Sequence, residues 1–235
     1  MSERPRNPAA RADLIMPENV LVSDFDGTVT KNDFYALVSE QLLPARTLNF
    51  WSEYRAGRIT HFQALAGYFA AIRADEPAVL RIIEQMQIDP RLAQSVAELR
   101  ERNWRVVITS AGCRWYIDRL LREAGVDVEV HANPGKFIPG RGLIMELPKD
   151  SPFLSPTHGI NKAAVVRHYL TAGGEVAFAG DGFPDVEAAA LVLPALRFAR
   201  GDLADVLTER KLPFRPFDVW SEIARQLSPS KRGPG

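Results

Sequence analysis

Three short apolar runs punctuate the chain: Val20-Leu21-Val22, Val106-Val107-Ile108 and Val176-Ala177-Phe178. None alternates with polar residues, so each reads as a strand buried on both faces of a parallel sheet. Helical patterns lie between them. Asp89-Pro90 reads as cap and first position of a helix whose Leu92, Val96 and Leu99 share one face. Strands alternating with helices predict an α/β fold built on a doubly wound parallel sheet. Ligands of such sheets bind beyond the carboxyl ends of the strands.

The stretch from Phe34 to Gln87 reads as helices only, and Thr60-His61-Phe62-Gln63 fits a capping box. It is far longer than a crossover requires. It is expected to form a helical cap domain (34–87) inserted after the first strand, leaving 18–33 and 88–227 as the core domain. Trp51, Tyr54, Phe62, Tyr68 and Phe69 recur at roughly helical spacing and are expected to form the cap's own small core. Val128-Glu129-Val130 and Leu143-Ile144-Met145 flank the turn residues Asn133-Pro134-Gly135 and Pro139-Gly140, which predicts a small β-hairpin insert. Residues 1–17 and 228–235 are rich in Pro, Gly, Ser and basic residues without apolar periodicity, and read as flexible tails.

Composition narrows the class. The 235 residues, 46% hydrophobic and 25% charged, suffice for one sizeable core and an insert. With 29 basic and 29 acidic residues there is no electrostatic footprint for nucleic acid. No apolar run follows the arginines and prolines of the first residues, so neither a signal peptide nor a membrane anchor is expected, and the cytoplasm is the default. One cysteine, Cys113, excludes an intramolecular disulfide. It reads as an idle thiol. His61, His131, His158 and His168 show no metal-ligand spacing, which argues against zinc. For His131 and His158, local hydrogen bonding is the expected role. Nothing in the chain indicates an oligomeric state.

The chemistry concentrates at strand ends. Asp24-Phe25-Asp26-Gly27-Thr28 follows the first apolar run, and Gly27 allows a turn that presents both carboxylates to one ligand. Hydrolysis of a phosphate ester needs a nucleophile and a proton donor for the leaving alkoxide, and Asp24 and Asp26 supply these. Alone, the motif equally fits an Asp-Gly turn. Three further elements follow in order. Thr109-Ser110-Ala111-Gly112 follows the second run and is expected to open a helix, offering the Ser110 hydroxyl and nearby N–H groups of Ala111 and Gly112 to phosphate. Gly159-Ile160-Asn161-Lys162 begins a helix, where a lysine opposes the dipole and so points to another use. Gly180-Asp181-Gly182-Phe183-Pro184-Asp185 follows the third run and adds two acids.

Asp-x-Asp, then Ser, then Lys, then Gly-Asp-x-x-x-Asp, in this order from about Val20 to Leu191, resembles the haloacid dehalogenase superfamily of phosphatases. The cap after the first motif resembles that of the phosphoserine phosphatases. Asp181 through Ala189 and Phe198-Ala199-Arg200 resemble more closely the methionine-salvage enol-phosphate phosphatases. The resemblance implies a phosphoric monoester hydrolase acting on a small phosphorylated metabolite through a phosphoaspartate on Asp24, with Asp26 as acid and base. A phosphate dianion approaching four carboxylates needs a bridging divalent cation, and oxygen ligands favour Mg2+. The resemblance assigns it to Asp24 and Asp181 by side chain, Asp26 by backbone carbonyl and Asp185 through water. Ser110 and Lys162 hold the phosphate oxygens. Asp33 stands where phosphoserine phosphatases place an acid for the substrate's amine, but Ala66 aligns with their carboxylate-binding arginine. Phosphoserine is therefore expected to be a poor substrate, and the enol phosphate a better one. A sugar-phosphate mutase shares the double Asp and stays open.

Overall fold

The structure, a computed structural model, describes residues 18–227, so both expected tails lie outside the described residues. Strand β1 (Asn19–Ser23) leads into four helices, α1 (Phe34–Gln41), α2 (Phe50–Arg55), α3 (His61–Ala70) and α4 (Glu76–Gln85). Helix α5 (Leu92–Glu101) then returns the chain to β2 (Trp104–Cys113), followed by α6 (Arg114–Glu123) and β3 (Glu129–Asn133). Two short hairpins come next, β4 (Gly135–Ile138) with β5 (Gly142–Met145), and β6 (Leu154–Ser155) with β7 (Gly159–Ile160). The rest alternates: α7 (Lys162–Leu170), β8 (Val176–Gly180), α8 (Val186–Leu191), β9 (Arg197–Ala199), α9 (Gly201–Glu209), β10 (Arg215–Pro216) and α10 (Ser221–Gln226). No described helix is long and apolar enough to cross a membrane.

Six parallel strands form the central sheet in the order β10-β9-β8-β1-β2-β3. Strand order reverses at β1, which places the crevice expected of a doubly wound sheet at the end of that strand. The three apolar runs are β1, β2 and β8, and their side chains divide between two cores. Leu21, Val106 and Ile108 pack into one with α5, α6 and the helices that follow β1; Val20, Val22, Val107 and Phe178 pack into the other with α7, α8 and α9. Both faces are covered, which is why the runs are continuous.

The helices after β1 leave and rejoin the core through one stem. Thr30 bridges Ile88, Lys31 N–H donates to the Gln87 carbonyl (3.0 Å) and Asn32 N–H to that of Met86 (3.1 Å). Thr60 and Gln63 cap α3 reciprocally, as their spacing requires. Phe62, Tyr68 and Phe69 are buried, but they share the larger core with β1 and α6 instead of forming one of their own.

Two expectations need correction. The predicted hairpin runs from Gly135 to Met145, whereas residues 128–130 lead into β3, paired in parallel with β2 at the sheet's edge. Glu129 and His131, tolerable on an edge, disguise that strand. Asp89 does not cap α5, which starts at Leu92; its carboxylate accepts from Arg91 N–H (2.8 Å) and Ser221 N–H (2.7 Å), tying α5 to α10.

Candidate active site

At the end of β1, Asp24 N–H still pairs with the Ala179 carbonyl of β8 (2.8 Å), so the sheet itself fixes the start of the loop. Phe25 is fully buried, and its carbonyl accepts from the N–H groups of Thr28, Val29 and Thr30, curling the chain. Gly27 has φ +68°, and a Cβ there would stand 2.2 Å from Asp181 Oδ2. Glycine thus provides both the turn and the room for the second acidic loop. Across that gap Thr28 donates to Asp181 Oδ1 (2.9 Å).

Lys162, the first residue of α7, is buried, and its Nζ lies 2.7 Å from Asp24 Oδ1 and 2.6 Å from Asp185 Oδ1. Burial pulls the ammonium's pKa down, but Asp185 and Asp24 outweigh it and leave the group above its ordinary value. Asp185 Oδ2 accepts from the N–H groups of Asp181 (3.1 Å) and Gly182 (3.0 Å), so both its oxygens are engaged. Burial and the neighbouring Asp185 raise the pKa of Asp24 well above the carboxylate range and that of Asp181 to about 6. One ammonium does not neutralise three acids.

Oxygens of Asp24, Asp181 and Asp185 lie within 4.8 Å of one another. A hard divalent cation fits this donor set, because it supplies the charge whose lack shows in the raised pKa values. All three could hold it, although Lys162 and two amides already engage both oxygens of Asp185.

Asp26 faces a different set of groups. Its Oδ2 accepts from Tyr116 Oη (2.8 Å) and Ser110 Oγ (3.3 Å), and its Oδ1 from Phe34 N–H (3.3 Å). Burial, then the charge of Asp33, push its pKa up to about 7 despite these donors. Asp33 is the N-cap of α1, accepting from Ala36 N–H (2.8 Å), and burial raises its pKa as well.

Asp24, Asp26, Asp33, Ser110, Tyr116, Lys162, Asp181 and Asp185 line one cavity of about 800 Å³, together with Ala111 and Gly112. Its far wall is aromatic: Tyr35, Trp51, Tyr54 and Phe69, with His61, His158 and Leu65. Burial, followed by His158, depresses the pKa of His61 to about 4, and burial with Lys162 lowers that of His158, which favours the uncharged form of each ring. His131 lies outside this cavity, beside Glu129. Trp51, Tyr54 and Phe69 are thus cavity wall as well as packing. Ala66 does not line the cavity; its neighbour Leu65 does, and leucine likewise offers no donor to a carboxylate.

The expectation for Ser110 also changes in detail. Residues 109–112 do not open a helix, since β2 continues irregularly to Cys113 and α6 begins at Arg114. The Gly112 N–H is taken by Ser110 Oγ (2.9 Å). Burial pushes the Cys113 thiol up to about 12, against any activating effect of the helix start.

Sequence reasoning missed Tyr116, and it named Thr28 and Arg200 only as members of motifs, without the contacts they make. The Arg200 guanidinium donates to the carbonyls of Gly27 (2.6 Å), Thr30 (2.8 Å) and Asp218 (2.6 Å), clamping the loop that carries both acids.

Comparison with known proteins settles the family. The model of the haloacid dehalogenase-like hydrolases matches residues 21–190. The chain belongs to this family. Among its relatives is a 2-hydroxy-3-keto-5-methylthiopentenyl-1-phosphate phosphatase of Microcystis aeruginosa, 26% identical over 209 residues, covering 88% of this chain and 97% of that one. A phosphatase of the same name from Brevibacillus brevis is 25% identical over 215 residues, with 88% and 94% covered. Among solved structures, a phosphoserine phosphatase captured as a phospho-aspartyl intermediate analogue superposes with a TM-score of 0.63 at 16% identity, covering 91% of this chain and all of that one. This haloacid dehalogenase-like hydrolase is a phosphatase.

Proposed function

We propose that the protein hydrolyses a small phosphomonoester through a phosphoaspartate on Asp24, with Asp26 as acid and base and Mg2+ as cofactor. The observation that carries this reading is Lys162 bound between Asp24 and Asp185, with Asp181 beside them and Asp26 across the same cavity. Asp24 and Asp181 would hold the ion by carboxylate, Asp26 by its carbonyl and Asp185 through water. Bound there, Mg2+ supplies the positive charge that lets a phosphate dianion approach the acids. Asp24 attacks phosphorus in line, while Lys162 and the Ser110–Gly112 segment orient the phosphate oxygens, the Gly112 N–H exchanging Ser110 Oγ for phosphate. Asp26 gives its proton to the departing oxygen and then takes one from the water that cleaves the acyl phosphate. Residues 34–87 serve as a cap over this chemistry, which resides in 18–33 and 88–227, and the setting is cytoplasmic.

For the substrate, the reading favours an uncharged carbon skeleton. The aromatic wall suits a methylthio chain, since sulfur packs well against rings. The name of the Microcystis relative describes such a skeleton, with hydroxyl, keto and methylthio groups and no ammonium. A second reading, phosphoserine, draws on Asp33 for an amine and on Arg55, an exposed guanidinium at the cavity rim, for a carboxylate.

Phosphate release separates these readings. With p-nitrophenyl phosphate, turnover should require Mg2+, vanish in Asp24→Asn and fall at least about 10²-fold in Asp26→Asn. Ca2+ should inhibit, because its looser coordination tolerates bidentate binding of the nucleophile. Normal turnover by Asp24→Asn defeats the mechanism. Among metabolites, the enol phosphate should exceed phosphoserine in kcat/KM by roughly 10²-fold, the worth of a missing charge-assisted contact. Phosphoserine among the best substrates would overturn the substrate assignment alone.

A further inference from the structure

Asp26 is held at both oxygens by a small aromatic assembly. Tyr116, in the first turn of α6 and almost wholly buried, donates from its phenol to Asp26 Oδ2 at 2.8 Å. Its ring stacks on Phe34, with centroids 4.4 Å apart, and the backbone N–H of the same Phe34 donates to Asp26 Oδ1. Gly112 makes room for this arrangement. A Cβ there would lie 1.9 Å from Tyr116 Oη and 2.8 Å from Asp26 Oδ2. A phenol needed only as core would not have to meet a titratable carboxylate on the wall of the catalytic cavity.

We propose that Tyr116 is a positioning residue that fixes the Asp26 carboxyl for proton transfer to the leaving oxygen. This rests on the reading of Asp26 as acid and base. In the first half-reaction a bond forms between an Asp24 oxygen and phosphorus, the phosphorus–oxygen bond to the leaving group breaks, and the Asp26 proton passes to that oxygen. In the second, Asp26 takes a proton from water as the water oxygen bonds phosphorus and Asp24 departs. Both transfers need the carboxyl at hydrogen-bond distance in one orientation. Tyr116 and Phe34 restrict the rotation that would spoil it.

Leaving-group dependence tests this directly. A nitrophenolate departs without a proton, whereas an alkoxide does not, so the ratio of kcat/KM for n-propyl phosphate to kcat/KM for p-nitrophenyl phosphate, which covers formation of the phosphoaspartate and not its hydrolysis, reports proton donation. Asp26→Asn should lower that ratio steeply. In Tyr116→Phe, which keeps the stacked ring, the ratio should fall about tenfold, a fraction of the roughly 10²–10⁴ that general acid–base catalysis contributes. KM should change little. Gly112→Ala, which displaces the phenol without removing it, should lower the ratio in the same direction, and circular dichroism of each variant should match the parent. Equal loss on both substrates, or no loss on n-propyl phosphate, in Tyr116→Phe would overturn the proposal while Asp26→Asn stays selective. If Asp26→Asn itself shows no selectivity, the acid–base assignment fails, and with it this proposal.

Discussion

Replacing Lys162 by methionine should damage the fold as well as the chemistry, and Mg2+ should undo much of the structural damage. The ammonium sits 2.7 and 2.6 Å from two buried carboxylates. At an effective dielectric constant of about 20, each attraction amounts to roughly 6 kcal/mol before the cost of dehydrating the ammonium is set against it. Breaking a buried pair by removing one partner costs about 3–5 kcal/mol net, because the other charge is left unpaired. At about 2–4 °C per kcal/mol for a chain of this size, the metal-free variant should melt roughly 10 °C below the parent. The deficit should depend on pH. Asp24 and Asp181 already have raised folded pKa values, which Lys162 restrains for Asp24 and which the Thr28 hydrogen bond, then Lys162, restrain for Asp181. A carboxylate with a raised folded pKa binds protons more tightly in the folded state, so stability falls as pH rises from the ordinary 3.8 towards about 6 for Asp181. Without Lys162 that window moves upward, making the loss greater at neutral than at acid pH. Thermal melts in chelator, then with Mg2+, at both pH values are the assay. A metal-free variant melting with the parent at neutral pH would refute the electrostatic account, as would a deficit that Mg2+ leaves untouched.

Cys113 should resist aromatic disulfide reagents in the native protein at mildly alkaline pH and react fully in denaturant, since burial pushes its pKa up to about 12. Stoichiometric native labelling would contradict that burial. Arg200→Ala should lower stability by about 2–3 kcal/mol, visible as a reduced Tm, through loss of hydrogen bonds from a charged donor. Arg200→Lys should recover less than half, because one ammonium cannot span the carbonyls of Gly27, Thr30 and Asp218; full recovery by lysine would show that charge alone suffices.

Legibility followed the cost of burial. Strands β1, β2 and β8 stood out because a strand covered on both faces carries a continuous apolar run. Strand β9 did not: it has three residues, and one is the buried Arg197, whose guanidinium is satisfied by the carbonyls of Ala189, Val192 and Pro213. Strand β10 has two residues, too few for any period to show. Strand β3 reads as half of a hairpin because an edge strand admits polar residues.

The site obeys the same rule. Asp24, Asp26, Lys162, Asp181 and Asp185 are charged groups at the ends of apolar elements, where burial is costly without a compensating use, so each invited a chemical reading from its position. Tyr116 and Arg200 carry no such mark. A tyrosine on the buried face of an amphipathic helix resembles ordinary core, and an arginine after a three-residue strand resembles surface. Their contacts join residues 90 and 173 positions apart in the chain, Tyr116 to Asp26 and Arg200 to Gly27, which no local pattern encodes. The groups proposed to react were thus legible one by one, while those that orient them became visible only once the fold had brought β1, α6 and β9 to one edge. The Asp26 carboxyl is where the two kinds meet, so the leaving-group ratio in Tyr116→Phe measures how much of its reactivity lies in orientation rather than in the acid itself.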